Sequence, residues 1–315
     1  MMKKKDGKVN RNNLSRNIFI FAMIIIPTIH FLVFYLYVNF NSFFMGFQLT
    51  NRKGEITWTL ENFRRFFAEF NGNSLSVANQ DTSVVYAIVN TLKTFLLNLL
   101  LFPIGFLVSY FLYKKVPGWK TYRVAFFLPV IIPSMVLTYS FTTMLGTRGF
   151  IAEIVQRMNG LERVPDILAN NDYANKAVFA FIIWMGIPGN LLLWSGALAR
   201  VPDEVVESAR LDGVSWLQEA IHIIIPIIWP TFAIQFLMLF IGLFGASGPV
   251  FLLTGGGSGT NTLSNWMFQR VYNSSETSIE HNYMSAVGLL ITAITLPLCL
   301  GIRFVISKFF KGVEY

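Results

Sequence analysis

The sequence predicts an all-α membrane protein with about six transmembrane helices, and three observations predict it. First, 54% of the 315 residues are hydrophobic and only 13% are charged, whereas a soluble domain carries about 25% charge. Second, the apolar residues are gathered into long runs instead of recurring with the period of a strand or an amphipathic helix. Third, no Asp, Glu, Lys or Arg interrupts residues 17–51, 177–199, 220–269 or 281–302. Such a chain has too little polar surface to cover itself in water. In a bilayer, by contrast, a helix satisfies its own backbone groups and crosses with about 20 apolar residues.

Taken in order, the chain opens with a basic N-terminal tail, residues 1–17, holding Lys3, Lys4, Lys5, Lys8, Arg11 and Arg16. The apolar run that follows, 18–38, is longer than a signal-peptide core and is followed by no small-residue cleavage pattern, so it reads as a retained first helix. Residues 39–83 form a mixed polar and aromatic extracytoplasmic segment with room for short helices. The main apolar body, 84–304, has spanning windows at 84–113, 124–146, 177–199, 229–253 and 282–304, and a short tail, 305–315, closes the chain. The second window holds one charge, Lys93, placed where a long side chain reaches the headgroups. Pro27, Pro103, Pro129, Pro133, Pro188, Pro230 and Pro297 fall within the spans and are expected to bend them. Trp58, Trp119 and Trp266 near span ends read as interfacial anchors.

Basic residues set the orientation. With a cytoplasmic N-terminus, the inside segments hold fifteen Lys and Arg: six in the N-terminal tail, four in 114–123, Arg200 and Arg210, and Arg303, Lys308 and Lys311. The longer outside segments hold nine. Both termini are therefore expected inside. The net charge of +8 is explained by this distribution and calls for no nucleic-acid partner. The lone Cys299 excludes an intrachain disulfide and reads as a packing residue. His30, His222 and His281 share no ligand spacing, so no metal is expected. No Walker motif occurs, no nucleophile–base pair stands out, and the spans contain almost none of the ionisable groups that an ion-coupled transporter would need. Catalysis by this chain is not expected.

The inside connection from Arg200 to His222 is the most informative stretch. Pro202 suits the first helical turn, and Asp203 and Glu204 sit where the helix dipole favours negative charge. A short helix is expected from Asp203 to about Asp212, with Val205, Val206 and Ala209 as its apolar strip and Glu204, Glu207 and Arg210 exposed. Gly213 suits a left-handed stop. A second segment, from Ser215 to Ile221, then returns towards the membrane, and Pro226 bends the start of the next span.

This arrangement resembles the coupling loop of binding-protein-dependent ATP-binding-cassette importer permeases. Their pattern of Glu-Ala-Ala, three residues, Gly, nine residues, Ile, one residue and Leu-Pro is matched here by Glu207-Ser208-Ala209, Gly213, Ile223 and Ile225-Pro226, with every spacing kept. Ser208 and Ile225 are the departures, both mild. Further stretches are similar to the sugar-type, maltose/glycerol-phosphate-like first permeases: Leu60 to Phe66, Asn90-Thr91-Leu92, Arg123 to Pro133, and Leu253-Thr254-Gly255-Gly256-Gly257, where Gly257 replaces a usual proline.

The resemblance implies a MetI-like six-helix bundle in a bacterial plasma (inner) membrane, paired with a second homologous permease around a substrate path. It implies an ATPase dimer docking on the coupling loop 200–226, through Glu204, Glu207, Ser208, Ala209, Asp212, Gly213 and Pro226. ATP and Mg would be bound by that ATPase, with no cofactor in this chain, and an extracytoplasmic solute-binding protein would deliver the cargo. The expected cargo is a carbohydrate, with another polar solute such as glycerol phosphate as the alternative, and an ion-coupled secondary transporter as a more distant one. Sugars are held by hydrogen bonds and aromatic faces. Tyr139, Asn190, Trp194, Gln235, Ser285 and Thr292 are the polar and aromatic residues at span depth that fit a substrate path. Each fits an interhelical hydrogen bond within the bundle at least as well.

Overall fold

The structure, a computed structural model, describes residues 6–51, 54–72, 81–160, 162–163, 165–245, 249–274 and 277–309. Lys3, Lys4, Lys5 and Lys311 lie outside the described residues, as do the side chains of Lys8 and Arg11. The chain divides into two compact units, 1–66 with 275–289, and 67–274 with 290–315.

In the first unit, helix α1 (Asp6–His30) runs through a π-helical turn (Phe31–Tyr37) into α2 (Val38–Met45). Residues Leu14–Met45 form one apolar rod of 32 residues, and its membrane-crossing window has no buried residue. Such a surface is stable only against lipid or another protein. A hairpin follows, β1 (Gln48–Thr50) against β2 (Ile56–Trp58), antiparallel with Leu49 opposite Thr57. Sequence reading anticipated helices in this region and not the hairpin, because strands of three residues carry too little alternation to read. The anticipated helix is present as α3 (Glu61–Phe70). Buried Asn62 ties helix to hairpin, its amide donating to the carbonyls of Gly46 (3.2 Å) and Gln48 (2.9 Å). Arg65 donates to Glu280 at 2.7 Å and lies 4.0 Å from the ring centre of Tyr283. Asn282 donates to Thr50 Oγ1 at 2.8 Å.

The second unit is built on α4 (Val84–Tyr113), an apolar helix of 30 residues. It is followed by α5 (Trp119–Ile131), α6 (Ser134–Leu145) and α7 (Phe150–Asn159), and then by α8 (Asn171–Gly189) and α9 (Leu191–Leu198), both of which pack on α4. Next come α10 (Asp203–Leu211), α11 (Trp216–Gln218), a π-helical turn (Glu219–Ile224) and α12 (Ile225–Ile227). The chain continues through α13 (Trp229–Ile241), α14 (Val250–Leu253) and α15 (Leu263–Tyr272) to α16 (Thr277–Phe309).

Among the described residues, four helical stretches are long and apolar enough to cross a membrane, or up to six with each of two bent pairs taken as one span. Two of the sequence windows differ in shape from the helices they contain. Window 124–146 is no single rod: the chain breaks between α5 and α6, at Ile132 and Pro133, and the flanking segments are bent by 100°. Pro133 has no N–H for a continuing helix and holds the residue before it extended. Window 229–253 ends as a helix at Ile241, with α14 a separate turn. The segment Trp216–Ile227 meets Trp229–Ile241 at 88°, next to Pro226 and Pro230.

The core of this unit is aromatic. Trp194 lies 5.4 Å from Phe102, 5.4 Å from Phe106 and 5.5 Å from Phe232, centroid to centroid, and is fully buried. Edge-on and tilted contacts of this kind are the favoured arrangements of ring quadrupoles.

Candidate functional site

Helix α10 is short, and its ends are chemically marked. Pro202 takes the N-cap position, one residue earlier than sequence reading placed it, with ψ of 134°. Asp203 and Glu204 occupy the first turn and Arg210 the last, each sign where the helix dipole favours it. Val206 and Ala209 are buried, and Val206 joins the cluster of Trp194, Tyr110 and Ile224. Glu204, Glu207, Ser208, Asp212 and Gly213 are exposed, and Leu211 is 89% exposed. The helix therefore seats one apolar edge on the bundle and presents an acidic surface with a bare leucine at its tip.

A Schellman motif ends α10. Gly213, at φ 72°, donates its N–H to the Arg210 carbonyl (3.1 Å), and Val214 donates to Ala209 (3.1 Å). A Cβ added at Gly213 would meet nothing within 4 Å, so the demand for glycine is conformational and not steric. The return begins with a capping box: Gln218 Oε1 accepts from the Ser215 N–H (3.1 Å), and Ser215 Oγ accepts from the Gln218 N–H (3.4 Å). Half-buried Pro226 follows in α12, two residues before the bend.

Beside α10 lies a cavity of about 440 Å³ lined in part by Lys115, Trp119, Arg123, Asp203, Glu207 and Arg210. Lys115 holds a left-handed conformation, φ 53°, at the end of α4, and the Arg123 guanidinium lies 5.0 Å from the centre of the Trp119 ring. Charges of both signs and a half-buried aromatic suit recognition of a protein surface.

The proposed substrate-path residues have different surroundings. Tyr139 is 75% exposed and lines an open cavity of about 470 Å³ with Ser140, Thr143 and Arg148. Asn190 is exposed at the break between α8 and α9. Gln235 is half-buried on α13, and its Nε2 has no hydrogen-bond partner among the described residues. Thr292 is exposed and Ser285, in the first unit, is half-buried. Trp194 departs from the expectation: it fills the aromatic core, so its place is in packing. Trp266 departs from its interfacial reading as well, being 2% exposed with Nε1 donating to the Thr82 carbonyl at 2.8 Å.

The glycine-rich stretch 255–259 is a polar knot. Asn90 donates to the carbonyls of Gly259 (2.7 Å) and Asn261 (3.0 Å), and Asn175 donates to Gly259 (3.0 Å). Asp81 accepts from the Gly259 N–H at 2.5 Å, and Thr91 Oγ1 accepts from the Leu263 N–H at 2.8 Å. Two residues that sequence reading did not single out, Lys114 and Glu219, form an ion pair beside α10 at 2.7 Å. Glu219 is the last acid before the long charge-free run that begins at residue 220, which is the one local hint of a special role.

A family model for the binding-protein-dependent transport system inner membrane component matches residues 101–314. The chain belongs to this family. It is therefore a multi-pass membrane permease component of a binding-protein-dependent transport system. The probable ABC transporter permease protein YurN of Bacillus subtilis (strain 168) is 26% identical over 310 residues, 96% of this chain and 98% of that protein. The arabinooligosaccharides transport system permease protein AraP of the same organism is 27% identical over 90% of this permease and 86% of its own length. A solved bacterial alginate ABC transporter, in complex with an alginate pentasaccharide-bound periplasmic protein, contains a chain of the same fold. Its TM-score is 0.75 at 19% identity, covering 96% of this permease and 98% of that chain.

Proposed function

We propose that this permease carries an oligosaccharide or related sugar across the membrane, delivered by an extracytoplasmic binding protein and driven by a separate ATPase docked on α10. The observation that carries the reading is α10 itself, a helix of nine residues with a buried Val206/Ala209 edge, an exposed acidic surface and a Schellman turn that fixes its direction. In this reading the face carrying α10 is cytoplasmic, with both termini, and a second, similar permease completes the path. Glu207 and Glu204 are exposed with no ion-pair partner among the described residues, which leaves them free for basic groups of the ATPase. The sugar cargo is supported by AraP, whose substrates are named as arabinooligosaccharides. ATP and Mg belong to the partner, and this chain supplies the lever and the path.

The test is a pull-down of the tagged chain from its native membrane in gentle detergent, followed by reconstitution and uptake assays. A second permease and an ATPase should copurify. Glu207→Lys and Gly213→Asp should each lower uptake at least tenfold per ATP hydrolysed, while the chain stays in the membrane. Normal uptake by both variants would end the docking role of α10.

A further inference from the structure

The Lys114–Glu219 pair adds a polar tie between α4 and the return from α10, two elements that also meet Val206 of α10 in one apolar cluster. Lys114 follows α4 directly, its N–H donating to the Tyr110 carbonyl at 2.9 Å. Its Nζ lies 2.7 Å from both oxygens of Glu219, which opens the π-helical turn just after α11. The two side chains are 16% and 3% exposed. A second contact runs in parallel, from the Tyr110 hydroxyl to the Trp216 carbonyl at 3.2 Å, and the Phe111 and Trp216 rings lie 5.4 Å apart. The return from α10 is thus tied to one end of α4 by a bidentate ion pair, a hydrogen bond and a ring contact.

Towards its other end α4 is tied as firmly. Asn90 and Thr91 hold the backbone of the stretch from Gly259 to Leu263 through three hydrogen bonds of 2.7–3.0 Å. Between Asn90 and Lys114 the helix spans about 36 Å at 1.5 Å per residue. A continuous helix held at both ends offers a path between them, and rigid secondary elements are among the carriers of coupling over such distances.

A buried ion pair is a poor choice for stability alone, since apolar residues of similar volume hold two elements at least as well. Its distinctive property is partner dependence: removing either member leaves the other as an uncompensated buried charge, so the two parts are held together as a pair. We propose that the Lys114–Glu219 pair is the joint through which movement of α10 reaches α4 and, along α4, the loop at 255–259. The inference rests on the docking of an ATPase at α10. Both residues are positioning residues, acting through α4 and touching no cargo.

The test uses the purified complex of this chain with its copurifying permease and ATPase in proteoliposomes, and it needs no identified cargo. Cys299 is the chain's single cysteine, so a Cys299→Ser background with Ser258→Cys carries one reporter in the glycine loop. The rate of maleimide labelling at position 258 is measured with and without ATP plus vanadate. The native joint should give at least a threefold change in rate. Lys114→Met and Glu219→Gln should abolish the change while ATP hydrolysis stays within twofold, and the exchanged pair, Lys114→Glu with Glu219→Lys, should restore it. If the single variants fail to assemble, Lys114→Arg, which keeps the charge and alters the length, should leave a partial change.

A full labelling change in the single variants, or in Lys114→Arg when they fail to assemble, overturns the proposal. So does an unchanged rate at position 258 in a native complex that contains the ATPase and hydrolyses ATP. Loss of the ATPase from the native complex overturns the docking reading instead, and the joint with it.

Discussion

The α10 turn and the loop at 255–259 both depend on glycines in the left-handed region, yet they are held in opposite ways. Gly213, at φ 72°, closes a turn made of bonds between neighbours in sequence and stands in open space. Gly256, at φ 85°, is enclosed, and a Cβ added there would lie 2.3 Å from Asn265 Nδ2. Its loop is held by Asp81, Asn90 and Asn175, which lie between 84 and 178 residues away from Gly259 in sequence. The difference teaches where each region bears its load. The α10 turn is built locally and faces outward, so its residues are free to meet a partner. The glycine loop is built by the tertiary structure and faces inward, so its residues serve the frame.

Substitutions should separate the two regions, and the largest effect belongs to Gly256→Ala. It combines the left-handed penalty with displacement of buried amides, for a loss of about 3 kcal/mol. Thermal unfolding in detergent would measure it, and a loss no greater than that of Gly213→Ala would erase the contrast. Asn90→Ala comes next, leaving the buried carbonyls of Gly259 and Asn261 each short of a donor, at about 2 kcal/mol. An unchanged midpoint would mean that the Asn175 and Asp81 bonds suffice to hold the loop. Gly213→Ala should have the smallest effect, about 1 kcal/mol, because only backbone strain is added. Its value lies in the pairing with Gly213→Asp: a small stability change beside a large loss of coupling would place the role of Gly213 in direction and not in folding.

Much of the α10 region was legible before any coordinates. Pro202, the acids of the first turn and Gly213 act within a few residues of one another, so the chain announces them in order. The same is true of the spans, since any run of about 20 apolar residues has one low-energy form in a bilayer. In the third window the bend at Pro133 was expected but not its 100° angle, and the fifth ran past Ile241, where α13 ends, because hydropathy reports depth and carries neither an angle nor a helix end. The hairpin at Gln48–Trp58 escaped because its strands are too short for alternation to stand out.

By itself, then, the sequence determined a membrane bundle of about six helices and the place and sense of α10, since these follow from solvent and from interactions along the chain. Only the tertiary structure decided that Trp194 and Trp266 are buried, that Lys114 meets Glu219 across 105 residues, and that Asn90 grips the glycine loop across 169. A side chain's type limits which bonds it can make, but which partner it finds depends on how separate helices come together. That choice is spread over the whole packing arrangement and written in no local stretch of sequence.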